Sequence, residues 1–111
     1  MIDKQGAIEI TADTFREKVA SSDVPVLVDW WAQWCGPCRM LSPVMDQLAS
    51  EYGGRVKVAK VNCDSEVDFA RGNAIHSLPT VTLWRDGREV ARVVGMRSIA
   101  EYRKLIEGNM L

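Results

Sequence analysis

Residues 24–31 constrain the fold more than any other segment, because they form a run that is nearly continuous in apolar and β-branched side chains. Such a run is typical of a strand that is buried on both faces. Only Asp29 interrupts it with a charged side chain. The sequence therefore predicts a central strand that other elements must cover on each side.

A long helix is predicted to begin soon after this strand, at Cys35. Apolar side chains recur from there at helical spacing, and Gly53-Gly54 supplies the stop. Pro43 lies inside the helix and is expected to kink it. The apolar stripe, which we interpret as core, consists of Leu41, Val44, Met45, Leu48, Ala49 and Tyr52.

Periodicity and turn signals define the remaining elements. Asp86-Gly87 is a strong hairpin signal, and Ser98 with Glu101 has the spacing of a helix capping box. The predicted order is strand 7–10, helix 11–20, strand 24–31, the helix from residue 35, strand 56–61, helix 65–72, strands 80–84 and 90–94, and a closing helix from residue 98. A βαβ unit that feeds a later hairpin predicts an α/β fold, with a mixed sheet and helices on both faces.

The protein is expected to form one domain spanning residues 1–111. A chain of this length with 47% hydrophobic residues can enclose one core, but it is too short for two ordinary domains. The net charge of −1 provides no electrostatic footprint for nucleic acid or an anionic membrane. The first six residues do not resemble an export leader, and no apolar run approaches membrane-spanning length. We therefore expect a cytoplasmic protein with neither nucleic acid nor membrane as a partner.

Two of the three cysteines, Cys35 and Cys38, lie between the end of a buried strand and the start of a long helix. Unpaired backbone N–H groups and the helix dipole favour negative charge at that position. Cys35 is therefore predicted to be the attacking thiolate, and Cys38, one turn inside the helix and less exposed, the resolving cysteine. Gly36 would let a substrate backbone approach, and Pro37 suits the first helical turn.

A Cys-x-x-Cys pair also occurs in zinc sites, so a metal centre is the first alternative. A structural zinc site usually needs four ligands, and the only other candidates here are Cys63 and His76. The sequence therefore favours a redox dithiol and no metal. We interpret Cys63 as a small buried or half-buried apolar side chain, with regulation by oxidation as the alternative, and His76 as a surface loop residue.

The strand that runs into Trp34-Cys35-Gly36-Pro37-Cys38 resembles the thioredoxin family. The resemblance covers nearly the whole chain, because further family positions are matched by Pro43, Leu78-Pro79-Thr80, Gly87 and Gly95. It implies a five-stranded mixed sheet with four helices, and a monomeric general protein-disulfide reductase without a bound cofactor. A flavin-containing thioredoxin reductase that draws electrons from NADPH would recycle the Cys35–Cys38 disulfide. The pair Gly36-Pro37 matches reductants of the family, whereas oxidants usually carry histidine there.

The resemblance also assigns roles to residues outside the dithiol. Asp29 matches a buried carboxylate behind the dithiol, and its place in an apolar strand independently indicates a raised pKa. We hypothesise that it accepts the proton of Cys38, helped by Lys60 and water; the alternative is that Asp29 is merely paired with Lys60. Pro79 matches a cis-proline, so that the backbone of Leu78 would pair with an extended substrate. The flat apolar surface around Cys35 would comprise Trp34, Gly36, Pro37, Gly95 and Met96.

Residues 73–77 depart from the family pattern, since they replace a usual glycine-containing, basic stretch. This departure leaves the choice of partner beside the predicted cis-proline open. A different class of function also stays open at this point, in which the fold serves as a binding module and the thiols are incidental.

Overall fold

The computed structural model describes residues 6–110, and in this part of the chain five strands form one mixed sheet. Residues 1–5 lie outside this part, so the prediction that residues 1–6 do not resemble a leader falls almost entirely outside the described residues. The strands are β1 (Ile8–Ile10), β2 (Val26–Trp31), β3 (Lys57–Asn62), β4 (Thr80–Arg85) and β5 (Arg88–Val94). The α-helices are α1 (Ala12–Phe15), α2 (Gly36–Tyr52), α3 (Val67–Gly72) and α4 (Ile99–Glu107).

The sheet has the strand order β1-β3-β2-β4-β5, which places β2 at its centre. Strands β1 and β2 both run parallel to β3, whereas β4 is antiparallel to β2 and to β5. The three parallel strands are joined through helices, and the antiparallel pair is joined by the predicted tight turn at Asp86-Gly87. The predicted five-stranded mixed sheet with four helices is confirmed.

Two apolar clusters cover the two faces of the sheet, as the buried central strand requires. Leu27 of β2 packs on one face with side chains of α2 and α4, among them Met45 and Tyr102. Val28 and Trp30 pack on the opposite face, together with buried side chains of β1, β3 and α3. Residues 26–30 are all buried, because β2 contributes alternate side chains to both clusters.

The predicted helix 11–20 is present but changes its geometry at Phe15. A short α-helix ends there and a π-helical turn, Arg16–Ala20, continues it. The wider turn is closed by the backbone N–H of Ser21, which donates to the carbonyl of Arg16 over 2.8 Å. It allows Val19 to be buried while the ring of Phe15 contacts Phe69, with the ring centroids 5.1 Å apart.

The long helix α2 begins at Gly36 and stays helical through Pro43 as far as Tyr52. Gly53 follows with a φ of 60°, a backbone conformation that favours glycine and ends the helix. In the described part of the chain, no helix is both long and apolar enough to cross a bilayer. The N-terminus of α2 follows closely after the end of β2, and the cysteine pair lies at this point.

Candidate active site

The cysteine pair lies at the junction between β2 and α2. β2 ends at Trp31, and the backbone N–H of Cys35 donates to the carbonyl of Ala32 over 3.2 Å, which turns the chain toward the helix. Cys35 is the N-cap residue of α2, and Pro37 stands in the first helical turn, where a missing N–H removes no helical hydrogen bond. The predicted strand-loop-helix setting is confirmed.

Cys35 and Cys38 form a disulfide, with their Cα atoms 5.3 Å apart. The Sγ of Cys35 also accepts a hydrogen bond from the backbone N–H of Cys38 over 3.3 Å. Both residues are buried in this oxidised form, with 5% of Cys35 and 3% of Cys38 exposed, so the predicted difference in exposure is small. The sulfur of Cys35 therefore sits at a helix N-terminus with an N–H group directed at it, which favours a thiolate after reduction.

Asp29 is fully buried in β2, three residues before Ala32, which packs with both cysteines. Neither of its carboxylate oxygens accepts a hydrogen bond from any residue between 6 and 110. Burial raises the pKa of Asp29 from 3.8 to about 7, while the charge of Lys60 lowers it and the charge of Glu9 raises it further. The carboxyl group can thus exchange a proton near neutral pH.

The alternative that Asp29 is merely paired with Lys60 is not supported by the geometry. The two residues lie opposite each other in the register of β2 and β3, but no ion pair joins them within the described residues. The ammonium of Lys60 instead donates to Ser42 Oγ over 3.0 Å. It also lies 5.1 Å from the ring centroid of Trp31. Lys60 is therefore a neighbouring cation, and Asp29 has no direct partner among residues 6–110.

The Leu78–Pro79 peptide bond is cis, as predicted. The carbonyl of Pro79 accepts a hydrogen bond of 2.8 Å from the backbone N–H of Gly95, which has a φ of 87°. Leu78 packs against the cluster that contains both cysteines. The fold therefore brings Leu78, Pro79 and Gly95 together beside the dithiol, although they are distant from it in sequence.

Trp34 is the most prominent apolar side chain next to the cysteines, with 69% of its surface exposed. Its indole Nε1 donates to Asp64 Oδ1 over 2.9 Å, which holds the ring at the surface. Met96, which follows Gly95, is 36% exposed. A groove of about 580 Å³ runs beside this surface, and its lining includes Trp34, Cys63, Ile75 and Leu78.

Cys63 and His76 both line this groove, but they do not join the cysteine pair in a metal site. Among residues 6–110, no three side chains of His, Cys, Asp or Glu converge as metal ligands would. Cys63 is half-buried, and burial raises the pKa of its thiol to about 11, with Asp29 and Asp64 adding to the effect. The predicted half-buried thiol and the predicted surface position of His76 are confirmed.

Sequence reasoning missed three side chains that hold the site in place: Glu9, Ser42 and Asp64. The carboxylate of Glu9 accepts from the indole of Trp31 over 3.3 Å. Asp64 could have been found, because β2 and β3 are parallel and their carboxyl ends must meet at one edge of the sheet. Glu9 and Ser42 could not, because their contacts depend on strand register and helix rotation.

Comparisons with known proteins agree with this geometry. The thioredoxin family model matches residues 6–108. The chain is 49% identical to thioredoxin 1 of Nostoc sp. over 89 residues, which cover 80% of this chain and 83% of that protein. It is 38% identical to a thioredoxin of Pseudomonas aeruginosa over 103 residues, which cover 93% and 95% of the two chains.

A solved structure agrees as well. A mutant thioredoxin from Halobacterium salinarum superposes with a TM-score of 0.87 at 32% identity, and the match covers 100% of this chain and 96% of that one. The site geometry points to the same family, because a cysteine pair lies at the N-terminus of α2 with a cis-proline beside it. The chain therefore belongs to the thioredoxin family and is a thiol–disulfide oxidoreductase.

Proposed function

We propose that this protein reduces disulfides of client proteins in two exchange steps, with Cys35 as the nucleophile and Cys38 as the resolving thiol. The Cys35 thiolate first attacks one client sulfur. The client S–S bond breaks, one client thiolate leaves, and a mixed disulfide joins Cys35 to the client. Cys38 then loses its proton and attacks the Sγ of Cys35, so that the second client thiolate leaves. Two electrons pass to the client, and the Cys35–Cys38 disulfide remains.

One observation carries this assignment of roles: the Sγ of Cys35 lies at the N-terminus of α2 and accepts the N–H of Cys38. A sulfur in that position is stabilised as a thiolate by the helix dipole and by the hydrogen bond. Cys38 lies one turn further along the helix and is bonded to Cys35, so it is placed to attack the Sγ of Cys35 in the second step. The first attack on a large client therefore falls to Cys35.

Asp29 is proposed as the acceptor of the Cys38 proton. A carboxyl with a pKa of about 7 matches the pH at which the reaction must run, and it has no competing hydrogen-bond partner among the described residues. Lys60, opposite Asp29 in the sheet, would stabilise the carboxylate before the transfer. The transfer would pass directly or through one water.

Client binding is proposed to use the backbone of Leu78, next to the cis peptide bond, as a short pairing edge for an extended segment. Backbone pairing accepts many sequences, which suits a general reductase. The apolar surface that would surround the client sulfur comprises Trp34, Gly36, Pro37, Gly95 and Met96.

The Cys35–Cys38 disulfide is proposed to be re-reduced by a flavin-containing thioredoxin reductase that takes its electrons from NADPH. No cofactor bound to this chain is required, because the two cysteines carry both electrons themselves. The proposal places the protein in the cytoplasm, where a reducing glutathione pool maintains dithiols. We propose that it acts there as a monomer.

Trapping of the mixed disulfide tests the roles of the two cysteines. Cys38→Ser should accumulate a covalent complex with insulin through Cys35, whereas Cys35→Ser should accumulate none. Wild-type protein should reduce insulin catalytically when it is coupled to NADPH and a thioredoxin reductase. A complex formed by Cys35→Ser, or no insulin reduction by the wild type, would contradict the proposal.

Equilibration with glutathione tests the direction of electron flow. We expect a reduction potential of about −270 mV, the value typical of thioredoxin. A potential above about −200 mV would identify an oxidant or isomerase instead.

A further inference from the structure

Three charged residues lie in one row across the parallel part of the sheet. In the register of the strands, Glu9 of β1 is opposite Lys60 of β3, and Lys60 is opposite Asp29 of β2. Residues opposite each other in neighbouring strands point to the same face, which here is the face covered by α2. Two carboxyl groups, that of the exposed Glu9 and that of the buried Asp29, therefore flank a single cation on this face of the sheet.

The indole of Trp31 connects this row to the cysteines. Trp31 packs with Ala32, Cys35 and Cys38. Its Nε1 donates to Glu9 Oε2 over 3.3 Å. The ammonium of Lys60 lies 5.1 Å from its ring centroid. Trp31 is thus fixed at its polar edge by Glu9 and on its face by Lys60.

Lys60 does not neutralise either carboxyl group by direct contact. Its ammonium donates to Ser42 Oγ over 3.0 Å, and within residues 6–110 it forms no ion pair with Glu9 or Asp29. Burial raises the pKa of both carboxyl groups; the charge of Lys60 acts in the opposite direction on both, and the charge of Glu9 raises the pKa of Asp29 further. The two acids therefore compete for one cation through space.

We propose that Glu9 is a positioning residue of the exchange reaction, which fixes the indole of Trp31 beside the dithiol and competes with Asp29 for the positive charge of Lys60. This inference rests on the proposed function, because it acts on the proton acceptor assigned there. Glu9 touches neither client nor sulfur. It acts on the orientation of Trp31 and on the charge around Asp29.

Few other charged or titratable groups lie where they can change the pKa of Asp29. The titratable and charged groups around it are Glu9, Lys60, Cys63, Tyr102 and, in the reduced protein, Cys35 and Cys38. Burial raises the pKa of Tyr102 above its ordinary value and that of Cys63 to about 11, so these groups stay neutral near pH 7. Glu9 is therefore the one carboxyl group besides Asp29 in this set, and its charge can be removed without changing a cysteine.

Glu9→Gln separates the charge from the hydrogen bond, because the amide oxygen can still accept from Trp31. Removal of the charge should lower the pKa of Asp29 by roughly 0.5 unit, as expected for one charge about 10 Å away across two strand spacings in a partly screened site. The carboxyl ¹³C signal of Asp29 in the reduced protein measures this shift directly, without reference to activity. The pH profile of single-turnover insulin reduction should move to lower pH by the same amount.

Two further variants complete the test. Glu9→Ala should produce the same acid shift and also move the indole N–H signal of Trp31, which Glu9→Gln should leave nearly in place. Glu17→Gln, on the exposed π-helical turn, removes a charge of the same type elsewhere and should change neither signal. In 1 M salt the difference between Glu9→Gln and the wild type should shrink, because screening weakens the interaction.

The outcomes distinguish this inference from the proposed function. If the Asp29 signal titrates alike in the wild type and in Glu9→Gln, the role of Glu9 is wrong, whatever the activity. If Glu9→Gln shifts the Asp29 titration but Asp29→Asn leaves the pH profile of reduction unchanged, Glu9 does influence Asp29, and it is the proton-acceptor role of Asp29 that fails.

Discussion

The two faces of the sheet at the central strand β2 differ in the hydrogen bonding of their buried polar groups. On one face, Thr82 of β4 is fully buried and accepts hydrogen bonds from the indoles of Trp30 and Trp84 over 2.9 and 2.8 Å. On the other face, Asp29 is equally buried and accepts none from the described residues. A satisfied buried polar group stabilises the fold, whereas an unsatisfied one costs stability. The dithiol lies on the side of the unsatisfied group.

The largest effect is expected from the two adjacent tryptophans of β2, which face these two environments. Trp30 is fully buried, so Trp30→Ala should lower the free energy of unfolding by about 3–5 kcal/mol. Trp31 is half-buried, so Trp31→Ala should cost less stability but should slow insulin reduction, because Trp31 packs against the cysteines. Denaturant unfolding and the insulin assay measure the two effects. Equal stability losses for both variants would remove the distinction between the faces.

A smaller but pH-dependent effect is expected from Asp29→Asn. The pKa of Asp29 is raised in the folded protein, so its contribution to stability is fully present below its ordinary value of 3.8 and is lost as the pH rises through about 7. The difference between these two values corresponds to roughly 4 kcal/mol as an upper bound. Asp29→Asn should therefore be more stable than the wild type at pH 8.5, by about 2–4 kcal/mol, and should show little of this gain at pH 3.5.

Urea unfolding at these two pH values measures the gain. If the gain were the same at both, the charge of the buried carboxylate would not be its cause.

Thr82→Val provides the matched change on the opposite face. It removes the acceptor of two indole N–H groups, one of them on the fully buried Trp30, and should cost roughly 1–3 kcal/mol of stability. Since Thr82 carries no charge, the loss should be the same at pH 5 and pH 8.5. Insulin reduction should be unchanged under conditions in which the variant is folded. A loss that varies with pH would link this face to the titration of Asp29.

The smallest effect is expected at Cys63, which lies in the groove beside the dithiol. Burial and the nearby carboxylates raise the pKa of its thiol to about 11, so very little thiolate exists at pH 7.5. Iodoacetamide should label Cys35 of the reduced protein rapidly and Cys63 at least tenfold more slowly, as read by mass spectrometry. Labelling of Cys63 as fast as that of Cys35 would reopen its role in regulation.

Most of the fold could be predicted from the sequence, because its elements carry strong local signals. The apolar run of β2, the turn at Asp86-Gly87 and the helix that starts at Cys35 each depend on neighbouring residues only. The change to π-helical geometry after Phe15 could not be predicted, since no local signal marks it and the ring of Phe15 packs there against Phe69 and Trp84. Those partners lie far away in the sequence.

The site was predictable only in part, for the same reason. Cys35 and Asp29 could be chosen from the motif and from a charge in an apolar strand. The contacts of Lys60 were predicted less well, because its ammonium turns to Ser42 and Trp31 rather than to Asp29. Glu9 was missed, because only the register of β1 with β3 places it in the row.

The central claim is that Asp29, which is buried and has no hydrogen-bond partner within residues 6–110, accepts the proton of Cys38. It is tested most directly by the pH profile of single-turnover insulin reduction in the wild type and in Asp29→Asn. The wild type should show an inflection near pH 7, the value set by the pKa of Asp29, and the variant should lose this inflection and react more slowly above it. Coincident profiles with equal rates would contradict the claim.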